Sequence, residues 1–369
     1  MFLTNLIVAI FFMNFISCED SSESEVLRHV QVLFRHGDRV PVIIIPNDNI
    51  SNFSWPFSPG ILTNQGRTRA YKLGGYLKNY YSLFLHKKPN INAQSSMVHR
   101  CLESTELVLA ALFPPEPSEI WSSDIPLASL WRPFPIETKP TKEDDIFYSK
   151  DCPAVESIIL RNIIGENIKK FLIDNKEFIS RISKAANLSE NIFSLSTVFD
   201  NIQCEQSFFE SNYRPPSWLS NDDVNKIIDL NTKITRYLYL GAKPDDIMRF
   251  NRIQCGPFFN YLLSNFEQNQ TKIELFGSHD VKISNIMNAM GFDMGYPRFS
   301  TALSFELWSY STGEPYLKLN YIEPENNFKI TRLSFNESSL FKNFCEPKIC
   351  SLRKFREALK DILIYDNCS

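Results

Sequence analysis

Residues 30–41, VQVLFRHGDRVP, restrict this chain more than any other segment: an apolar run enters a loop that carries two arginines and a histidine within five residues. Val32, Leu33 and Phe34 read as the end of a buried strand, and functional side chains commonly sit where such a strand opens into a loop. A solvated cluster of surface charges is the competing reading. It accounts for the charges but not for the buried strand that leads into them.

Arginine offers phosphate oxygens a planar fork of donors and keeps its charge at any working pH. Arg35 and Arg39 bracketing His36 therefore predict a bound oxyanion, with Gly37 letting the backbone approach it closely. The same charges disfavour the cationic form of His36, so its pKa should fall and leave a neutral, nucleophilic nitrogen in mildly acidic solution. A second piece lies in residues 273–291, IELFGSHDVKISNIMNAMG, where His279 and Asp280 follow a predicted strand and precede a helical pattern over 281–290. That places the pair at a helix N-terminus, which favours an anion. A carboxyl there can act as general acid; with an ordinary pKa of about 3.9 it holds its proton only in acid solution or when that pKa is raised. Acid-optimal phosphoryl chemistry unites the two segments.

Residues 40–60, rich in Pro and Asn, fit neither period and read as a surface loop. From Thr63, with Thr63 or Asn64 as cap, Tyr71, Leu73, Leu77, Tyr80, Tyr81 and Phe84 recur at helical steps and form a core face. A shorter helix over 103–112 stops at FPPEP. Residues 156–187 and 222–240 are helical with little strand signal, whereas ALSFELWSY and EPYLKLNYI alternate about a Ser-Thr-Gly turn as a hairpin does. A helical insert, 146–245, in an α/β domain made from 26–145 and 246–369 is the simplest organisation. With 43% hydrophobic residues and 30 Phe the chain can bury a substantial core. Its 39 Lys+Arg against 42 Asp+Glu, with no basic run, argue against a nucleic-acid partner. The five His are scattered and show no HExxH or paired CxxC spacing, so no metal or other cofactor is expected.

The first 16 residues are largely apolar, end at Ser17 and Cys18 and meet an acidic stretch, as a secretory signal peptide (1–18) does, although the usual basic start is absent. The apolar part is short for a membrane span. The C-terminal DILIYDNCS carries no hydrophobic tail. A secreted, extracellular chain with no membrane partner is expected, lysosomal delivery being the lesser alternative. Sequons at Asn49, Asn52, Asn187, Asn269, Asn336 and Asn367 agree with glycosylation along that route. Of eight Cys, seven follow Cys18, an odd number. Cys345 and Cys350 in CEPKIC make a local disulfide loop, and the residues alone leave the other pairings open.

The heptapeptide from Arg35 to Pro41 and the late His279-Asp280 resemble the R-H-G-x-R-x-P and H-D signatures of the histidine acid phosphatases, branch 2 of the histidine phosphatase superfamily. LTNQGRTRAYKLGGYLKNYY is similar to that family's L-T-x-x-G helix. RCLESTELVLAALFPPE is similar to the segment whose leading arginine, here Arg100, is a third phosphate ligand. The resemblance implies an α/β fold with a central mixed β-sheet flanked by helices and a smaller, mainly helical domain. It implies hydrolysis of small-molecule phosphate monoesters without metal, with His36 as nucleophile, Arg35, Arg39, Arg100 and His279 as phosphate ligands, and Asp280 as proton donor. It also implies disulfides Cys152–Cys368 and Cys345–Cys350. A family partner for Cys204 is absent near residue 301, leaving Cys255 or Cys101 for it. Many relatives read R-S-T-x-x-x-R where this chain has Gln94 at the first position and His99 in place of a frequent Asp beside Arg100. Relatives are often homodimers, and the whole is most similar to secreted insect venom or salivary acid phosphatases. Two rivals share the fold. One is a secreted small-ligand-binding protein with weak or lost catalysis, against which the intact His36, Arg35, Arg39, His279 and Asp280 argue. The other is a phytase or inositol-phosphate phosphatase, to which the slightly acidic composition lends no support.

Overall fold

The computed structural model describes residues 24–45, 54–147, 152–240, 243–268, 270–293, 295–310, 313–366 and 368. The expected signal peptide and the sequons at Asn49, Asn52, Asn269 and Asn367 lie outside them; Asn187 and Asn336 are exposed. One sheet organises the chain: β1 (Val26–Arg35), β2 (Asn90–Ser95), β3 (Lys272–Ser278), β4 (Ala302–Ser309), β5 (Tyr316–Glu323), β6 (Lys329–Arg332) and β7 (Cys350–Ser351). The order is β2-β3-β1-β4-β5-β6, with β7 on β5. β2, β3 and β1 pair in parallel and β4, β5 and β6 antiparallel, so the sheet is mixed.

β1 is apolar without interruption near its end because both its faces are covered. Val30, Val32 and Phe34 pack with Leu73 and Leu77 of α1 (Asn64–Tyr80) and Val108 and Leu109 of α3 (His99–Leu112), which follows the short α2 (Ser82–Leu85). Leu33, one residue out of phase, joins Phe258, Phe276 and Phe305 on the other face. Thr63 caps α1, its hydroxyl accepting the Gly66 N–H. α3 ends at Leu112, just before the two consecutive prolines. From there the chain runs through α4 (Pro153–Ile163), α5 (Glu166–Asp174), α6 (Lys176–Ala185), α7 (Ile192–Phe209) and α8 (Asn221–Leu240), with no strand among the described residues. These helices gather a core of their own around Ile182, Leu195, Val198, Ile227 and Ile234. α9 (Pro244–Gln254) and α10 (Gly256–Glu267) lead back to the sheet, and α11 (Asp280–Ala289) and α12 (Leu352–Leu359) help cover it.

Cys152–Cys368 and Cys345–Cys350 are bonded. The expected pairing of Cys204 with Cys255 or Cys101 does not occur, and all three are buried free thiols. Three different elements hold the sulfurs in separate environments. Cys204 on α7 lies 3.5 Å from an Arg39 nitrogen, Cys255 is packed in the Phe258 core, and Cys101 donates to the Ser278 carbonyl at 3.3 Å. A disulfide needs two sulfurs brought face to face, whereas each of these three contacts other groups.

Candidate active site

Parallel pairing explains how two motifs more than 240 residues apart meet. Arg35 at the end of β1 pairs with Ser278, and Ser95 at the end of β2 pairs with Gly277, so the loops after β1, β2 and β3 leave the same edge of the sheet. Ligands in α/β sheets bind at such carboxyl ends. The His36 amide donates to the Ser278 carbonyl (3.0 Å), tying the two motifs directly. Gly37 lies so close to α1 that a Cβ on it would come within 2.3 Å of the Gly66 carbonyl oxygen. Asp38 completes the anchor: its carboxylate accepts from Arg69 (2.7 Å) and Ser207, and its carbonyl from the Thr63 amide (2.9 Å).

Three arginines surround the imidazole. Arg35 is fully buried; it donates to the Pro297 carbonyl (2.8 Å) and Gln203 Oε1 (3.2 Å), pairs with Asp280 Oδ2 (2.7 Å), and lies over the Phe299 ring at 3.9 Å. Arg39 grips Asp200 with both terminal nitrogens, at 2.7 and 3.0 Å. Arg100 stands in the first turn of α3. The Nε donors of all three are buried without an acceptor. Buried donors are rarely left so, and three of them on cationic groups fit a tetrahedral oxyanion.

His36 Nδ1 is 2.8 Å from the Gly37 carbonyl, so Nδ1 carries the hydrogen and Nε2 keeps its lone pair. Burial, then the charges of Arg100 and Arg35, with His279 and Arg39 behind them, holds its pKa well below the usual 6.5. His279 is the N-cap of α11, 3.1 Å from Ser96 Oγ and 3.6 Å from Cys101 Sγ, with its ring 5.6 Å edge-on from that of His36. Burial and Arg100, against the pull of Asp280, bring it to about 4. Asp280 begins α11: Oδ1 accepts the Val281 N–H (2.7 Å), while Oδ2 takes both Arg35 and the Tyr296 hydroxyl. Burial pushes its pKa up, but Arg35, the Tyr296 hydrogen bond, Arg39 and His279 outweigh it and hold the carboxyl at about 2. Of the two routes to a protonated aspartate, these surroundings therefore do not supply a raised pKa.

The fold thus brings Arg35, His36, Arg39, Arg100, His279 and Asp280 together, and it leaves Gln94 elsewhere. Gln94 donates to the Tyr261 hydroxyl (2.6 Å), which reaches Glu274 in a buried network with His29 and Lys272. His99 is exposed at the start of α3. Sequence reasoning missed the contribution of α7, whose Asp200, Gln203, Cys204 and Ser207 touch Arg39, Arg35, Arg39 and Asp38 respectively. Their i, i+3, i+4, i+7 spacing, which sets four polar or sulfur-bearing side chains on one face of the helix, is a signal that could have found them. Tyr296 and Phe299 were missed too. Among the described residues, no group of three His, Cys, Asp or Glu could hold a metal ion, and no helix is long and apolar enough to cross a membrane.

A strand-loop histidine ringed by arginines, facing a His-Asp pair at a helix start, is matched by a family: the chain belongs to the histidine phosphatase superfamily (branch 2), whose family model covers residues 26–321. Prostatic acid phosphatase of Bos taurus is 30% identical over 353 residues, 92% of this chain and 86% of that protein. Lysosomal acid phosphatase of Xenopus laevis is 27% identical over 363 residues, 94% of this chain and 78% of that protein. Among solved structures, the apo form of Hafnia alvei phytase superposes with a TM-score of 0.67 at 15% identity, covering 92% of this chain and 97% of that one, a likeness of fold. These relatives do not bear on the likeness to insect venom or salivary proteins.

Proposed function

We propose that this protein is an acid phosphatase that hydrolyses small phosphate monoesters through a phosphohistidine at His36. The observation that carries the reading is the lone pair of His36 Nε2 standing among three guanidiniums whose buried Nε donors have no partner. Arg35, Arg39, Arg100 and His279 take the phosphoryl oxygens. Nε2 attacks phosphorus, the bond to the ester oxygen breaks, and Asp280 gives that oxygen its proton. Water then attacks the phosphohistidine, returns a proton to Asp280 and releases inorganic phosphate. Asp280 starts from a carboxyl held at about 2 by neighbouring cations. A bound phosphoryl group neutralises those cations, so the carboxyl's pKa rises in the complex and the protonated form becomes available in acid solution.

The finer features belong to the same proposal: secretion after removal of residues 1–18, glycosylation, assembly as a homodimer, a helical domain at 146–245 within an α/β domain of 26–145 and 246–369, and kinship with insect venom or salivary enzymes. The test is hydrolysis of p-nitrophenyl phosphate from acid to neutral pH beside His36→Ala. An acid optimum lost in the variant is expected. A folded wild type no more active than the variant overturns the reading, and phosphate binding that survives in both would then favour the ligand-binding alternative. Turnover of phytate in preference to the aryl ester would place the chain with the inositol-phosphate enzymes.

A further inference from the structure

Tyr296 lies in the segment between α11 and β4, its ring edge-on to Phe199 of α7 at 4.8 Å and 5.2 Å from the Arg35 guanidinium carbon. Its hydroxyl donates to Asp280 Oδ2, the oxygen that also pairs with Arg35 at 2.7 Å. Oδ1 has a weaker, neutral donor, the Val281 amide at 2.7 Å. We propose that Tyr296 is a positioning residue for the proton donor: with Arg35 it locks Oδ2, so that Oδ1 carries the proton to the leaving group. This rests on the phosphatase reading above and adds to it which oxygen acts and what sets its acidity.

The chemistry follows from occupancy. Oδ2 already faces two donors, one of them cationic, and a third hydrogen cannot be accommodated there without expelling one of them. As the ester P–O bond breaks, its electron pair stays on the alcohol oxygen, which takes the proton from Oδ1 and leaves Asp280 as carboxylate. The charged and titratable groups around that carboxyl are Arg35 from the end of β1, Arg39 from the next loop, Arg100 and Cys101 from α3, His279 at the cap of its own helix, and Tyr296. Tyr296 is the one whose contact a single atom can remove while every charge and the packed ring stay. A hydrogen bond donated to the ionised form favours that form, so its loss keeps Asp280 protonated to higher pH.

The test is the first-turnover rate of alcohol release from saturating ethyl phosphate, followed against pH, in wild type and Tyr296→Phe. Ethoxide is a poor leaving group and needs the proton. The basic limb should move up by about one pH unit in Tyr296→Phe, while first-turnover release from p-nitrophenyl phosphate, a good leaving group, changes by less than about twofold. 3-Fluorotyrosine at position 296 keeps ring and hydroxyl and strengthens the donor, so it should move the limb down. Limbs that stay in place in both variants, or an equal slowing of both substrates at every pH, overturn the inference while leaving the phosphatase reading intact. A wild type that releases neither alcohol refutes that reading and this inference with it.

Discussion

His279 should make the protein lose stability in mild acid. Its pKa is held at about 4 in the folded chain against an ordinary 6.5. As pH falls below 6.5 the unfolded chain takes up this proton first, and the folded chain does so only near 4, so stability declines across that window and levels off below it. Between about pH 7.5 and about pH 4.5 the linkage amounts to at most about 2.5 kcal/mol, solvent at the partly exposed ring trimming it. His36, also depressed, acts in the same direction. Asp280 acts in the same direction but at lower pH, its stabilisation being lost between the ordinary carboxyl range and about pH 2, outside the window. His279→Gln has no charge to gain and can still bond Ser96. Urea unfolding with the disulfides intact should show the wild type losing about 2 kcal/mol more than the variant over that range, with added phosphate restoring most of the difference. Parallel losses in the two proteins would refute the assignment of His279 as an imidazole held neutral in mild acid.

Arg100→Gln should lower kcat/KM on an aryl phosphate by about 10²–10³-fold, as loss of one oxyanion donor does, and move the acid limb of the profile upward because Arg100 leads the charges acting on both His36 and His279. An unmoved limb counts against that electrostatic role. Gly277→Ala would put a Cβ 2.0 Å from Thr105 Oγ1 and 3.1 Å from the Cys101 carbonyl, forcing β3 from α3 where His279 must meet Arg100. A cost of about 1–3 kcal/mol in a thermal melt is expected, with activity falling alongside. In the chain lacking residues 1–18, alkylation without reductant should label Cys101, Cys204 and Cys255 after unfolding and none of them before. Their burial raises all three thiols, Cys101 and Cys255 to about 12, so the native protein resists the reagent.

Much of the site is legible in the sequence because its parts are local. The apolar run of β1, the motif at its end, and the strand, His-Asp pair and helix of the second segment each occupy neighbouring positions, and strand order only has to bring them side by side. The β4–β5 hairpin is legible for the same reason, its alternation matching a register of Ala302 with Ile322. β2 is not: NINAQS has little apolar alternation, because Asn92 and Gln94 satisfy their amides on Tyr261 and Glu274, far along the chain. Tyr296 sits in GYPRFS, a segment with no period to read, and its contact with Asp280 depends on the turn that follows α11. The depressed pKa of Asp280 is a matter of which oxygen faces which donor. Cysteine pairing likewise depends on distances that residue order does not carry, so the sequence offers Cys204 a partner in Cys255 or Cys101 where the fold leaves all three free.

The most direct test of the central claim is to find the covalent intermediate. Wild type turning over a radiolabelled phosphate monoester, quenched in alkaline denaturant and digested, should yield one labelled peptide carrying an alkali-stable, acid-labile phosphate on His36, absent from His36→Ala. Steady hydrolysis by wild type with no label trapped, or turnover that persists in His36→Ala, would contradict it.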